Sequence, residues 1–385
     1  MPETILVTGG AGFIGSHLVD ALVARGHRVR VFDNLDPQVH GDLGQRGAWP
    51  DYCNPAAEYV LGDVRDGAAL ALAIEGASLI FHEAAVVGVG QSMYEIERYM
   101  DVNTRGTAML LDVLANRPDL RQGVRKLVVA SSMSIYGEGK YACPIHGSAN
   151  PRLRTNEQMA RHDWEVRCPV AVDSGPCGLA LVPRATDEEK PLHCTSIYAI
   201  SKKDQEEMCL AVGRAYDLRA VALRYFNVYG TRQALSNPYT GVAAIFAGRL
   251  LNHNRPMVFE DGLQSRDFVH VSDIVQANLL VMDSPAADYG SFNVGTGQFT
   301  TIAGVAEALD GHLGTHLAPE ITHQFRAGDI RHCVADISRI SALGYRPTVQ
   351  FADGVAGLTE WVGAQSAVDR VDQAHQELVR RGLAV

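Results

Sequence analysis

The chain has 385 residues, 46% of them hydrophobic and 20% charged, a length that suits a nucleotide-binding domain carrying a second, smaller one. A formal net charge of −10 leaves no basic face for nucleic acid or anionic lipid, so any phosphate it binds is expected in a small, locally basic pocket and the expected partner is a small molecule. Seven cysteines, an odd number, fit reduced thiols better than a disulfide framework, and no segment is apolar enough to span a bilayer.

Met1 runs directly into "TILVTGG" with no basic region or cleavage site before it, so no secretory segment is expected, and the default is a cytoplasmic protein without a membrane partner. The runs "ILVTGG" (5 to 10) and "RVRVFDN" (28 to 34) read as strands, and "GSHLVDALVARG" between them has helical spacing that ends at a glycine. Strand-like runs continue at 57 to 64, 77 to 85 and 125 to 132, with a helix over 102 to 116. This alternation predicts an α/β fold, a doubly wound parallel Rossmann sheet with a smaller C-terminal α/β part that binds substrate. Between 139 and 194 the pattern breaks into prolines, four cysteines and scattered charges; helical spacing resumes at 196 to 216, followed by a strand at 219 to 230 and a helix at 241 to 252.

"TGGAGFIG" places Gly9, Gly12 and Gly15 at i, i+3 and i+6 between a strand and a helix, with Phe13 and Ile14 inside the turn. Glycine is required where a tight turn lets the backbone approach a pyrophosphate held on helix N-terminal amides. Asp33 closes the second strand 18 positions after Gly15, where a carboxylate accepts hydrogen bonds from ribose hydroxyls and repels the extra phosphate of NADP. Asn34 follows with no arginine nearby in sequence, so NAD is the expected cofactor. Asp63 and Val64, after the third strand, read either as an adenine contact or as an ordinary turn.

Tyr198 and Lys202 are spaced i, i+4, so a helix places them on one face. A free phenol, with a pKa of about 10, is a poor base at neutral pH, but an adjacent ammonium and a positively charged nicotinamide favour its phenolate. Ser131 and Ser132 end an intervening strand and complete a candidate catalytic set. His82, on a strand end before Ala84 and Ala85, reads as structural.

Together these features resemble the extended branch of the short-chain dehydrogenase/reductase superfamily, the nucleotide-sugar epimerases and dehydratases. Nine segments look like that family's blocks in the family's order: "TGGAGFIGSHL", "FHEAAVVGVGQS", "DVNTRGT", "ASSMSIYG", "YAISK", "LRYFNVYG", "DGLQSRDFVHVSD", "FNVGTG" and "RAGDIRH". The resemblance implies that Tyr198 is the base, Lys202 its pKa tuner and ribose anchor, and Ser132 the hydroxyl that meets the substrate's reacting oxygen. It implies cofactor contacts from Ala84, Ala85, Asn103, Ser131, Tyr225 and Val228. Substrate contacts would come from Val87, Phe226, Asn227, Gly241, Val242, Arg266, Arg326 and Asp329, with Cys333 as a further candidate. It also implies a homodimer formed through a four-helix bundle from the helices around 96 to 116 and 196 to 216, although faces buried within one chain would read the same way. The expected domains are residues 1–227 with about 266–296, and residues 228–265 with 297–385.

Family members that dehydrate at C4 and C6 carry an Asp-Glu pair where this chain has Met133 and Ser134, and members that epimerise at C3 and C5 place a thiol at the position of Ser134. Neither residue here does that chemistry. The remaining expectation is epimerisation of a nucleotide-diphosphate sugar at C4 through a 4-keto intermediate, with a 4-ketosugar reductase as the alternative. Within the branch the chain looks most like dTDP-L-rhamnose 4-epimerases and UDP-glucose 4-epimerases.

In the interruption, "RCPVAVDSGPCG" separates Cys168 from Cys177 by eight residues, with Cys143, Cys194, His146 and His162 as the added ligand candidates weighed there. Structural zinc usually draws on closely spaced pairs, so no metal is expected. Because the segment leaves the sheet after Ser132 and returns before Tyr198, it is expected to form a lid or wall over the sugar site.

Overall fold

The structure, a computed structural model, describes residues 2–172, 175–326 and 328–385. Five strands, β1 (Thr4–Thr8), β2 (Arg28–Asp33), β3 (Glu58–Leu61), β4 (Leu79–His82) and β5 (Lys126–Ser132), join Ala220–Tyr225 and Ser291–Val294 in one sheet. Every pairing in it is parallel, in the order Ser291–Val294, Ala220–Tyr225, β5, β4, β1, β2, β3. A parallel sheet is covered on both faces, so its central strands read as continuous apolar runs rather than alternating ones; all seven residues of β5 are buried.

On one face, Ile5, Val7 and Phe81 pack with helices Phe13–Ala24 and Val271–Asp283. On the other, Leu6 and Ile80 pack with helices Gly67–Ile74, Gly106–Asn116 and Ile197–Ala215. The strand order reverses between β1 and β4, which opens a crevice at their carboxyl ends. A separate core around Phe246, Leu250, Leu309, Val355 and Leu358 unites helices Val242–Leu251, Ile302–Leu313 and Phe351–Gly363. Among the described residues no helix is long and apolar enough to cross a membrane.

Two predicted elements change shape. The helix expected from 102 begins as a π-helix, Met100–Arg105, before the α-helix Gly106–Asn116. The strand expected over 219 to 230 divides at Phe226, and its second part, Asn227–Tyr229, pairs with Phe268–His270 instead of continuing in the large sheet.

The described residues of the interruption form elements of their own. The interruption contains the short strands β6 (Lys140–Cys143), β7 (Gly147–Ala149), β8 (Ala171–Val172), β9 (Gly175–Pro176) and β10 (Val182–Arg184), with β6 flanked antiparallel by β7 and β10. Backbone bonds fix it to the strand His332–Cys333 and to Val334 just after it: Gly139 N–H donates to the His332 carbonyl at 2.9 Å and Thr186 N–H to that of Val334 at 2.7 Å. A buried ionic cluster completes the docking. Arg154 forks onto Glu260 at 2.8 and 2.9 Å, while Arg331, fully buried, reaches Glu165 at 2.7 Å, Asp261 at 2.6 Å and Glu260 at 3.1 Å. The lid expectation is therefore corrected. None of the described residues from 139 to 194 lines the main cavity, because the segment's edges are taken up by its own sheet and by the chain around 331 to 335.

Candidate active site

One cavity of about 610 Å³ occupies the crevice and extends toward the C-terminal helices. Its floor is the turn after β1. Gly9 has φ +70°, and a Cβ there would lie 2.7 Å from the Ala84 nitrogen; at Gly15 it would lie 2.3 Å from the Gly9 oxygen. Gly12 precedes helix Phe13–Ala24 without a side-chain cap, and Gly12 to Gly15 line the cavity. The turn is thus a cradle of backbone at a helix N-terminus, which fits a dinucleotide pyrophosphate.

Asp33 lies at the end of β2, its carboxylate accepting from Ala11 N–H at 3.0 Å and Leu35 N–H at 2.9 Å. Burial pushes its pKa up, and the two amide donors oppose that. Arg98 also lines the cavity, but Asp36 at 3.0 Å and Glu95 at 2.9 Å already neutralise it. These features favour NAD over its phosphorylated form.

Strand β5 delivers Ser132 to the opposite wall, and helix Ile197–Ala215 delivers Tyr198 in its first turn and Lys202 one turn later. Ser196 caps that helix, accepting from Ala199 N–H at 3.1 Å, which fixes the turn on which Tyr198 sits. Burial pushes the Tyr198 phenol up to about 12, partly offset by its hydrogen bond with Ser132. Ser134 Oγ donates to Ser132 Oγ at 2.9 Å, leaving the Ser132 proton free for the phenol side. Burial pulls Lys202 down to about 8, opposed by the Glu83 carboxylate, and its ammonium donates to Gln205 Oε1 at 2.8 Å.

Glu83 escaped the sequence reading. It lines the cavity between His82 and Ala84, accepts from the Tyr225 hydroxyl at 2.9 Å and is pushed up to about 7 by burial. A carboxylate within the apolar stretch "FHEAA" was the available signal. Gln233 and Gln264 were missed too: they line the cavity, and their side-chain oxygens, like that of Asn227, are buried without a hydrogen-bond partner. Three such groups facing one cavity fit a polar ligand.

Most residues singled out from the sequence meet here. Phe13, Ile14, Asn34, Val64, Ala84, Ala85, Val87, Ser131, Tyr225, Phe226, Asn227, Val228, Gly241, Val242, Arg266, Arg326 and Asp329 all line the cavity. Arg266 is steered by three carbonyls, those of Ser265, Ile330 and Arg331, and Arg326 pairs with Asp329 at 2.8 Å while lying over the Phe259 ring.

Three expected contacts do not line it. Asp63 is taken by Arg65 at 2.6 Å and Asn34 at 3.0 Å, which hold its carboxyl down at about 2. Asn103 is consumed by both backbone groups of Val86 and by Ser201, so it shapes the loop after β4 without touching the cavity. Cys333 is fully buried against Thr186, 3.8 Å away. His82 sits between the hydroxyls of Thr8 and Thr107 at 2.8 and 2.9 Å and is pulled down to about 3 by burial, which keeps it neutral.

A Rossmann sheet with a glycine cradle, an acidic end to β2, and serine, tyrosine and lysine on one wall defines a dinucleotide-dependent enzyme of the short-chain dehydrogenase type. The description "NAD dependent epimerase/dehydratase family" matches residues 5–161 and 177–295, and the chain belongs to that family. It is 32% identical to dTDP-L-rhamnose 4-epimerase of Burkholderia thailandensis, across 94% of this chain and 96% of that one. It is also 32% identical to UDP-glucose 4-epimerase of Mycolicibacterium smegmatis, across 92% and 97%. Among solved structures, UDP-glucose 4-epimerase of Thermotoga maritima with UDP-glucose superposes with a TM-score of 0.72 at 30% identity, covering 93% of this chain and 98% of that one. The Thermus thermophilus UDP-glucose 4-epimerase complex with NAD gives 0.71 at 28% identity, covering 94% and 100%.

Proposed function

We propose that this protein epimerises a nucleotide-diphosphate sugar at C4, with NAD retained and recycled. The observation that carries the reading is the meeting of Ser132, Tyr198 and Lys202 on the wall of the cavity whose floor is the glycine cradle. NAD, when bound, supplies a reversible hydride acceptor. Ser132 holds the sugar 4-oxygen, Tyr198 takes its proton, and Lys202 favours the phenolate that does so. The resulting 4-keto sugar turns over and takes hydride on its other face while Tyr198 returns the proton. Met133 and Ser134, beside Ser132, offer no acid–base pair for eliminating water, which favours epimerisation over dehydration.

Arg266, Arg326, Asn227, Gln233 and Gln264 are suited to the diphosphate and nucleoside, the arginines because a planar fork meets phosphate oxygens two at a time. The likeness to a dTDP-L-rhamnose 4-epimerase supports a deoxysugar substrate and a biosynthetic, cytoplasmic setting. Residues 1–227 with about 266–296 serve as the dinucleotide domain, and 228–265 with 297–385 as the sugar-nucleotide domain. A homodimer through helices around 96 to 116 and 196 to 216 is supported by Ile96 and Ile200, which are 50% and 38% exposed on them.

The test is turnover without added dinucleotide. Purified protein is expected to interconvert C4-epimeric nucleotide sugars, followed by NMR of the anomeric proton. Strict dependence on stoichiometric NADH or NADPH would identify a reductase instead. Tyr198→Phe is expected to abolish turnover while NAD remains bound, and full turnover in that variant refutes its role.

A further inference from the structure

The docked insertion brings together four groups that lie apart in sequence. The imidazole Nδ1 of His146 lies 3.4 Å from Cys143 Sγ and 3.5 Å from Cys168 Sγ, and with Cys177 the four ligand atoms all lie within 4.8 Å of one another. Two hairpins do this. Cys143 ends β6 and His146 follows in the turn to β7, closed by Gly147 at φ +77°. Between Cys168 and Cys177, β8 and β9 pair antiparallel, with Cys177 N–H donating to the Val170 carbonyl at 2.7 Å and Gly178 N–H to that of Cys168 at 3.1 Å. A linear count of spacing cannot see that pairing, which is why the sequence argued against a metal.

The separations fit a bound metal ion. For zinc–sulfur bonds of about 2.3 Å and zinc–nitrogen bonds of about 2.1 Å, a regular tetrahedron places sulfur and nitrogen about 3.6 Å apart, close to the two separations seen. All seven cysteines, each among the described residues, are free thiols. Cys194 and His162 stand apart: the first donates to the Ile135 carbonyl, and the second stacks on Trp164 at 5.3 Å. The lobe also has little core of its own: its buried apolar residues form two small clusters, Tyr141, Cys143, Val166, Cys168 and Leu181 in one and Met159 and Trp164 with Phe325 in the other. A small lobe of this kind is ordinarily held by a staple.

We propose that Cys143, His146, Cys168 and Cys177 bind one zinc ion as a closed, four-ligand structural site. None of the four lines the cavity, so the ion serves the shape of the insertion and takes no part in the chemistry at Tyr198.

The experiment is elemental analysis of the untagged full-length protein purified without chelator. About one zinc per chain is expected. Cys168→Ser and Cys177→Ser are expected to lose it and Cys194→Ser to keep it. Cobalt exchanged into the wild-type protein is expected to show the thiolate charge-transfer and intense visible bands of a tetrahedral site, which Cys177→Ser should lack. A reduced wild-type protein that carries no zinc and takes up neither zinc nor cobalt stoichiometrically overturns the proposal. So does a disulfide among the three cysteines in protein prepared under cytosol-like reducing conditions, or full zinc content in a Cys168→Ser, Cys177→Ser double variant.

Discussion

On the proposed mechanism Tyr198, its phenol pushed up to about 12 by burial, needs a neighbouring cation to work as a base near neutrality, and Lys202, one helical turn on, is placed to supply it. A cation favours the phenolate, so removing it raises the pH at which Tyr198 ionises. Lys202→Met is therefore expected to move the acidic limb of the pH–rate profile upward and to slow turnover at neutral pH by about 10²-fold or more; a limb that stays in place would assign Lys202 to binding alone. Glu83 acts one step behind. Its carboxylate opposes the burial that pulls Lys202 down to about 8, so without it Lys202 loses its proton at lower pH still. Glu83→Gln is expected to draw in the alkaline limb of the same profile, and retention of the wild-type limb would argue against a positioning role. Tyr198 and Lys202 were legible because their spacing is local. Glu83 was not, since its importance lies in contacts with Tyr225 and Lys202, both more than a hundred positions away.

Among the elements, the insertion depends most on one contact. Arg154 and Glu260 are buried to within 2% of full enclosure, and Arg154 Nε also stands 3.8 Å from the buried Glu138. Removing one partner of a buried pair strands the other's charge. Arg154→Met is expected to destabilise the protein by about 3–5 kcal/mol, read as a lower urea midpoint, whereas a loss within about 1 kcal/mol would mean that Arg331 alone satisfies Glu260. Six of the seven strands of the large sheet were readable because each is a run of four to seven residues with an apolar centre; Ser291–Val294, short and interrupted by Asn293, was not. The insertion's strands are two to four residues long, too short for a period to show, and β6 takes its second partner, β10, from well along the chain, with Val182 paired to Ala142. The same locality explains Cys333 and Asn103. Alignment to a family block fixes a position along the chain, but the side of the strand or the pitch of the helix decides what the side chain meets: Cys333 turns to Thr186, and the π turn hands Asn103 to Val86.

At the scale of the whole molecule, Ile200 is 38% exposed on a helix whose opposite side carries Lys202 and Gln205 into the interior. If that outer side is the dimer contact, Ile200→Glu places a charge in an apolar interface. It is expected to shift the light-scattering mass toward the monomer while the isolated fold keeps its dichroism spectrum, and an unchanged mass would move the contact elsewhere. The anchoring of the insertion also sets a clock. Glu138 accepts from the backbone of Arg331 at 2.8 Å, a partner 193 positions further along the chain. At ribosomal rates of about 5–20 residues per second, that gap corresponds to roughly 10–40 s during which the insertion has emerged and its anchor has not. The last part of the molecule to be made is thus the part that seats its middle. A nascent chain halted before residue 331 would hold every strand of the Rossmann sheet, the last being Ser291–Val294, and Glu260 for Arg154, yet lack the backbone bonds from 331 to 335 that seat the insertion.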